Sequence, residues 1–284
     1  MEAIKKAEIL VKALPYIQEF HGKTFVIKYG GSAMENGELE HIVMKDIVLL
    51  KLVGINPIVV HGGGPKINEV LKKMGKKSEF VNGLRVTDRE TMEIVEMVLS
   101  GKINKKIVSL INKYGGKAVG LSGKDGGLLS AEKDLSQGDI GFVGYVKEVN
   151  AKIIEVMVKE GYIPVIAPVA FGQDGETYNI NADTAAGEIA ASLGAEKLIM
   201  LTDVEGVYEN YADKTSLISH LDTVTALKLI EEGAVDGGMI PKVLCCVNAV
   251  KKGVKKAHII DGRVPHSILL EIFTEEGIGT MVVQ

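Results

Sequence analysis

Two glycine clusters carry the first sign of chemistry in this chain. Thr24-Phe25-Val26-Ile27 reads as a strand running into Lys28-Tyr29-Gly30-Gly31-Ser32, and Ile58-Val59-Val60 as a strand running into His61-Gly62-Gly63-Gly64-Pro65. Glycines at the carboxyl end of a strand, just before a helix, let backbone N–H groups approach an anion. Two such loops on neighbouring strands would form one phosphate cradle, with Lys28 adding charge; the plain alternative is a pair of tight strand-to-helix connections. Neither loop matches G-x-x-x-x-G-K-[ST] or G-x-G-x-x-G, which sets aside a Walker loop and a standard dinucleotide fold. Phosphoryl transfer needs positive charge around the moving group and little covalent help. A second lysine, Lys242 in Gly237-Gly238-Met239-Ile240-Pro241-Lys242, stands where Pro241 marks the first turn of a helix. A cation there is unfavourable unless an anion binds nearby, although a solvated lysine is the ordinary reading.

Asp183 follows Asn179-Ile180-Asn181-Ala182 and opens a helix rich in small residues, Ala185, Ala186, Gly187, Ala190 and Ala191. It serves either as a helix cap, which needs no ligand, or as the carboxylate that holds both lysine ammoniums while Asn179 contacts a substrate. Of the three arginines, Arg85, Arg89 and Arg263, the first stands in Gly83-Leu84-Arg85-Val86-Thr87 and is best placed to clamp a carboxylate. Metal chemistry finds no support, because His61 and the other histidines form no H-x-x-x-H or H-E-x-x-H pattern. No G-x-S-x-G suggests a hydrolase nucleophile.

These residues need elements to position them. The chain has 284 residues, 46% of them hydrophobic, enough for one large α/β domain or two lobes. Apolar positions Ile4, Ala7, Val11, Leu14 and Ile17 mark an amphipathic helix over 2–20, kinked at Pro15. Strands and helices then alternate: a helix near Leu39 to Val53, a strand Pro57 to Val60, a helix from Pro65, and a capping box at Thr87-Asp88-Arg89-Glu90. From Lys117 to Lys147, short runs broken by glycines predict hairpins laid on the main sheet. The alternation returns with strands at Ile163 to Ala167, Lys197 to Leu201, Ala257 to Ile260 and Thr280 to Val283, and helices from Asp183 and Met239. The expected architecture is α/β: an open, mostly parallel sheet with helices on both faces, hairpins in the middle and an extra N-terminal helix. Its expected divisions are 1–20, a substrate lobe over 21–170 and a nucleotide lobe over 171–284.

Composition excludes other classes. A net charge of −4, no Trp and 5% aromatic residues give nucleic acid neither a basic field nor stacking platforms. The longest apolar stretches fall short of a membrane span, and Lys5, Lys6, Glu8 and Lys12 interrupt any signal-peptide core, so a cytoplasmic location is expected. Cys245 and Cys246 are adjacent and read as buried small hydrophobes.

Taken in order, Lys28-Tyr29-Gly30-Gly31-Ser32, His61 to Pro65, Gly83 to Thr87, Asn179 to Asp183, Leu201 to Val207 and Gly238 to Lys242 resemble the amino acid kinase family over essentially the whole chain. Within it they resemble the branch acting on N-acetyl-L-glutamate in arginine biosynthesis. The resemblance implies transfer of the ATP γ-phosphoryl to the side-chain carboxylate, with Lys28 and Lys242 stabilising the group in flight and Asp183 orienting them. Gly30, Gly31, Gly63 and Gly64 would donate N–H groups. Gly63 and Gly64 would also border the acid, Arg85 would bind its carboxylate and Asn179 would complete the pocket. Thr202, Asp203, Gly206, Val207, Tyr208 and Met239 would line the ATP site, with Mg²⁺ held mainly by the phosphates and no protein metal site. The N-terminal segment and the run His258 to Thr280 resemble arginine-inhibited members, implying a homohexamer built as a trimer of dimers and L-arginine near His258, Glu271 and Gly277. Family members acting on UMP, carbamate, glutamate or aspartate share the loops, but the Gly-Leu-Arg-Val-Thr and Asn-x-Asn-Ala-Asp motifs favour acetylglutamate. A non-catalytic arginine-binding module is the alternative from another class; the presence of Lys28, Asp183 and Lys242 argues against it.

Overall fold

Phe25, Val26, Ile27 and Tyr29 are all fully buried, and a strand that is apolar at consecutive positions must be covered on both faces. The computed structural model describes residues 2–34, 36–275 and 277–284. In chain order its strands are β1 (Thr24–Tyr29), β2 (Asn56–His61), β3 (Phe80–Val81), β4 (Leu84–Arg85), β5 (Ala118–Ser122), β6 (Leu129–Lys133), β7 (Val143–Val149), β8 (Ile163–Ala167), β9 (Val169–Gly172), β10 (Thr177–Ile180), β11 (Lys197–Thr202), β12 (His220–Asp222), β13 (Lys256–Asp261) and β14 (Thr280–Val283). The helices are α1 (Glu2–Lys12), α2 (Leu14–Phe20), α3 (Gly37–Leu52), α4 (Gly64–Lys73), α5 (Arg89–Glu96), α6 (Asn104–Lys113), α7 (Lys152–Lys159), α8 (Ala182–Ser192), α9 (Thr223–Glu231), α10 (Ile240–Lys251) and α11 (Ser267–Phe273).

Eight strands form one sheet in the order β12-β14-β13-β11-β1-β2-β8-β5. All pairings from β13 to β5 are parallel, and only β14, antiparallel to β13, turns the edge around together with β12. The α/β architecture is therefore the one expected. The chain builds outward from β1 to β2 and β8 on one side, then crosses to β11 and β13 on the other. That reversal opens a crevice beyond the carboxyl ends of β1, β2 and β11, where an open α/β sheet binds ligands. Two apolar layers cover the sheet. Phe25 and Ile27 face the layer that holds Ile47, Ile94 and Ile107, while Val26 and Ile58 face Ala186, Ile189 and Val247. Each fully buried side chain of this size contributes roughly 1.5–3 kcal/mol.

Three local expectations change, and one feature is new. The run from Lys117 to Lys147 does not lie on the sheet as hairpins. Its first part is β5, the sheet's edge strand, and the β6–β7 pair closes with β9 and β10 into a small four-stranded barrel. The capping box shifts by one residue: Asp88, not Thr87, caps α5 by accepting from the Thr91 N–H at 2.7 Å, and the Thr87 hydroxyl donates to the Arg85 carbonyl. The N-terminal segment is two helices parted at Ala13, with Pro15 in the first turn of α2, where its missing N–H costs nothing; Met1 lies outside the described residues. Between α5 and α6 the helix widens into a π-helix over Met97–Ile103, a feature that concentrates at functional sites. No helix among the described residues is long and apolar enough to cross a membrane.

Candidate active site

Lys28, the fifth residue of β1, is buried at the crevice, an arrangement that requires a compensating anion. The anion is Asp183. Asn181 caps α8, its side-chain oxygen accepting from the Asp183 N–H at 2.8 Å and the Thr184 N–H at 3.2 Å. Asp183 is thereby released from capping, and its carboxylate stands at the positive end of the helix. Lys28 Nζ lies 2.9 Å from Oδ1. Lys242, in the first turn of α10, donates to Oδ2 at 3.0 Å. The two lysines thus engage the two oxygens of one carboxylate, Lys28 at Oδ1 and Lys242 at Oδ2. Burial alone would raise the Asp183 carboxyl, but the two ammoniums outweigh it and hold it below the usual carboxylate range. Two cations on one carboxylate leave a net positive charge facing the crevice.

The glycine loops complete the cradle. A Cβ on Gly30 would sit 2.9 Å from Lys28 Nζ, so the missing side chain makes room for the ammonium. Gly31 has φ +66°, the left-handed region. Gly63 and Gly64 begin α4, whose first-turn N–H groups have no helical partner. A Cβ on Gly63 would lie 2.3 Å from Ile103 Cδ1 and 2.7 Å from Leu99 Cδ2, both on the π-helix. Beneath this loop His61 is fully buried. Its Nδ1 is 2.9 Å from the Gly62 carbonyl, and its Nε2 accepts from Asn104 Nδ2 at 3.2 Å. Asn104 also donates to the Val165 and Leu121 carbonyls at 2.9 and 3.2 Å. Burial lowers the imidazole to about 4, so a neutral His61 braces the loop.

Beyond the loop lies a cavity of ≈ 160 Å³ lined by Gly62 to Gly64, Arg85, Leu99 and Asn179 to Ala182. Arg85 arrives on a hairpin whose turn, Asn82-Gly83, has positive φ at both residues, the geometry that Asn-Gly favours. Phe80 pairs with Arg85 across this hairpin, and its ring lies 4.7 Å from the guanidinium carbon. Arg85 donates to Ser78 Oγ at 3.0 Å and the Gly64 carbonyl at 3.2 Å. No carboxylate of the described residues pairs with Arg85, whereas Arg89 pairs with Glu176 and Arg263 with Asp261. A buried cation with neutral partners, lining a cavity, has the chemistry to bind a carboxylate. Asn179 faces the same cavity from β10, its Nδ2 3.5 Å from Thr87 Oγ1.

On the other side of Asp183 a cavity of ≈ 390 Å³ is lined by Thr202, Asp203, Gly206, Val207, Tyr208, Met239 and Lys242, and also by Tyr211, Val235 and Asp236, which the sequence reading did not single out. Lys242 lines this cavity, and Asn181 and Ala182 line the smaller one. The Lys28-Asp183-Lys242 trio thus stands between them. A third cavity, ≈ 220 Å³, brings together His258, Glu271, Gly277, Tyr16, Glu19 and Phe20. There Lys197 Nζ is 3.1 Å from His258 Nε2, His258 Nδ1 is 2.6 Å from Glu271 Oε1, and the Ile278 N–H donates to Glu271 Oε2 at 2.7 Å. Burial lowers the Lys197 ammonium to about 8. Among the described residues no group of three or more His, Cys, Asp or Glu side chains could hold a metal ion.

The sequence pattern of the amino acid kinase family matches residues 23–261, spanning both glycine loops, Asp183 and Lys242. The chain belongs to the amino acid kinase family. Among its relatives, the acetylglutamate kinase of Caldanaerobacter subterraneus subsp. tengcongensis is 67% identical over 281 residues, 99% of this chain and 94% of that one. Among solved structures of similar shape, N-acetylglutamate synthase from Neisseria gonorrhoeae, complexed with coenzyme A and N-acetyl-glutamate, aligns with a TM-score of 0.86 at 25% identity. The alignment covers 98% of this chain and 63% of that one, so the chain spans less than two thirds of the synthase. The same synthase with coenzyme A and L-arginine aligns with a TM-score of 0.81 at 24% identity, covering 98% and 65% of the two chains. Carbamate kinase from Giardia lamblia bound to AMP-PNP, at 17% identity and a TM-score of 0.69 over 93% of this chain and 99% of that one, shares the fold.

Proposed function

We propose that this amino acid kinase transfers the γ-phosphoryl of Mg-ATP to the side-chain carboxylate of N-acetyl-L-glutamate, releasing ADP and an acyl phosphate. The observation that carries the proposal is the trio itself: one buried carboxylate fixes two lysine ammoniums between a large cavity and a small one that ends in an unpaired arginine. Relatives named acetylglutamate kinase, covering nearly the full chain, supply the substrate.

The chemistry follows from the residues. Nucleotide occupies the larger cavity, in the 171–284 lobe, with Mg²⁺ arriving as part of the substrate. The acid occupies the smaller one, walled mainly by the 21–170 lobe and closed by Asn179 to Ala182 of the other, its α-carboxylate on Arg85 and Asn179 and its side-chain carboxylate toward Gly63 and Gly64. A side-chain carboxylate is ionised at neutral pH and needs no general base. Its oxygen attacks the γ-phosphorus as the bond to the β–γ bridging oxygen breaks, and no proton moves. Charge on the transferring oxygens meets Lys28, Lys242 and the N–H groups of Gly30, Gly31, Gly63 and Gly64, all fixed beforehand, which is how such a transition state is stabilised.

Feedback belongs to the same reading. L-Arginine fits the third cavity, where Glu19 and Glu275 offer carboxylates to a guanidinium beside the His258–Glu271 pair and Gly277. The exposed apolar residues of α1, Ile4, Ile9, Leu10 and Val11, would join dimers into a homohexamer. The test is trapping of the acyl phosphate as a hydroxamate from Mg-ATP, hydroxylamine and a panel of acceptors, with and without arginine. Signal with N-acetyl-L-glutamate, suppressed by arginine, is expected; signal only with unacetylated glutamate, aspartate or carbamate would reassign the substrate.

A further inference from the structure

Three residues after Lys242 on α10 stands a thiol that the chemistry above does not use. Cys245 Sγ donates to the main-chain carbonyl of Asp183 at 3.0 Å. One helix therefore grips one residue twice, at its side chain through Lys242 Nζ, 3.0 Å from Oδ2, and at its backbone through Cys245. Facing the thiol is Gly187, where a Cβ would lie 2.8 Å from Sγ and 3.9 Å from the Ala249 Cβ. Glycine within a helix costs stability relative to alanine, and here its missing side chain lets α8 and α10 pack at the distance the thiol hydrogen bond needs. The neighbouring Cys246 is fully buried in the apolar layer.

We propose that Cys245 is a positioning residue for phosphoryl transfer: its hydrogen bond to the Asp183 carbonyl, seated against Gly187, fixes α10 on α8 and so sets the reach of Lys242 to the Asp183 carboxylate. The inference rests on the reading of Lys28, Asp183 and Lys242 as the transfer centre. Burial raises the thiol to about 12, so it is a neutral donor at working pH and not a nucleophile. Displacement of a catalytic group by a fraction of an ångström costs rate far more than it costs binding. The groups that act on Asp183 are Lys28 from β1 and Lys242 from α10; Cys245 and Cys246 of α10 both feel its charge, and Glu188 of its own helix acts on the Cys245 thiol. If Lys242 recedes, less positive charge holds Asp183 ionised, and the acid limb of the pH–rate profile moves upward.

The experiment compares kcat, KM for Mg-ATP and the pH–rate profile of Cys245→Ala, Cys245→Ser, Cys246→Ala and Lys242→Arg. Cys245→Ala should lower kcat roughly tenfold, leave KM for Mg-ATP within about twofold and raise the acid limb by about half a pH unit or more. Cys245→Ser, which keeps a donor, should recover most of both. Cys246→Ala should lower the melting temperature and leave the limb in place, which separates positioning from packing. Parental kcat and acid limb in Cys245→Ala, with Lys242→Arg inactive, would overturn the inference and leave the transfer centre standing. Full kcat in Lys242→Arg would remove the transfer centre, and the inference with it. Should Cys245→Ala not fold, Gly187→Ala presses a methyl group against Sγ and must shift the same limb; a parental profile there also overturns the inference.

Discussion

Arg89 and Arg263 have carboxylate partners of their own, Glu176 and Asp261, while Arg85 engages only Ser78, the Gly64 carbonyl and the face of Phe80. On the proposed function, that difference makes Arg85 the receptor for the acid. Lysine in its place keeps the charge but loses the planar fork, so Arg85→Lys should raise KM for N-acetyl-L-glutamate roughly tenfold or more while KM for Mg-ATP stays within about twofold. Steady-state kinetics with each substrate varied in turn would show the split; equal changes in both would mean Arg85 serves the fold. The sequence pointed to Arg85 through scarcity, as one of three arginines, and to Lys28, Asp183 and Lys242 through motif. It could not show that Asn181 caps α8 and frees Asp183, because Asp and Asn are nearly equal as caps and only coordinates tell which one faces inward. Nor could it assign His61, since a buried brace and a buried core histidine look alike until the Asn104 contact is known.

Elements set those residues in place, and two of them make testable demands. Asn181 closes the first turn of α8 immediately before Asp183. Asn181→Ala should therefore cost about 1 kcal/mol of stability and lower kcat as well, measurable by denaturant unfolding and turnover; a stability loss with parental kcat would separate the cap from the chemistry. The second demand is a tie between α3 and the start of α11. Asp46, almost wholly buried, accepts from His266 Nδ1 at 2.7 Å, and its other oxygen has no hydrogen-bond partner. Burial raises its carboxyl from 3.8 to about 6, against the opposing hydrogen bond and charge of His266. The folded protein therefore holds that proton more tightly than the unfolded chain, and stability falls as pH rises from about 4 to about 6, by on the order of 3 kcal/mol. Asp46→Asn should abolish this decline, and its stability should overtake the parent's as pH rises. A parent-to-variant difference that is equal at pH 4.5 and 7 would contradict the assignment. Such a tie, 220 residues apart in sequence, has no local signal. The Asn82-Gly83 turn does have one, and two-residue hairpin chemistry would have placed Arg85 on a β-hairpin directly. The barrel was misread for a different reason: runs broken by glycine fix strand breaks, not which sheet each strand joins.

For the whole molecule, alternation of strand and helix was enough to give the parallel sheet, and the order of motifs gave the crevice at its centre. The terminal helix poses the remaining question. Phe20 at the end of α2 is buried against Phe25, with ring centroids 5.3 Å apart, which anchors α2 to the core, whereas Ile9, Leu10 and Val11 of α1 are 66–74% exposed. Deleting residues 1–12 should leave catalysis intact and reduce a hexamer to dimers by light scattering; a hexamer that survives would place the contact elsewhere. The central claim concerns the trio between the two cavities. Hydroxamate formed from N-acetyl-L-glutamate by Lys242→Arg, with Mg-ATP affinity measured on the same protein, tests it most directly. The account predicts a fall in kcat of roughly a hundredfold or more, with ATP affinity changed only a few-fold. Unchanged turnover, or a loss that weaker ATP binding fully explains, would contradict it.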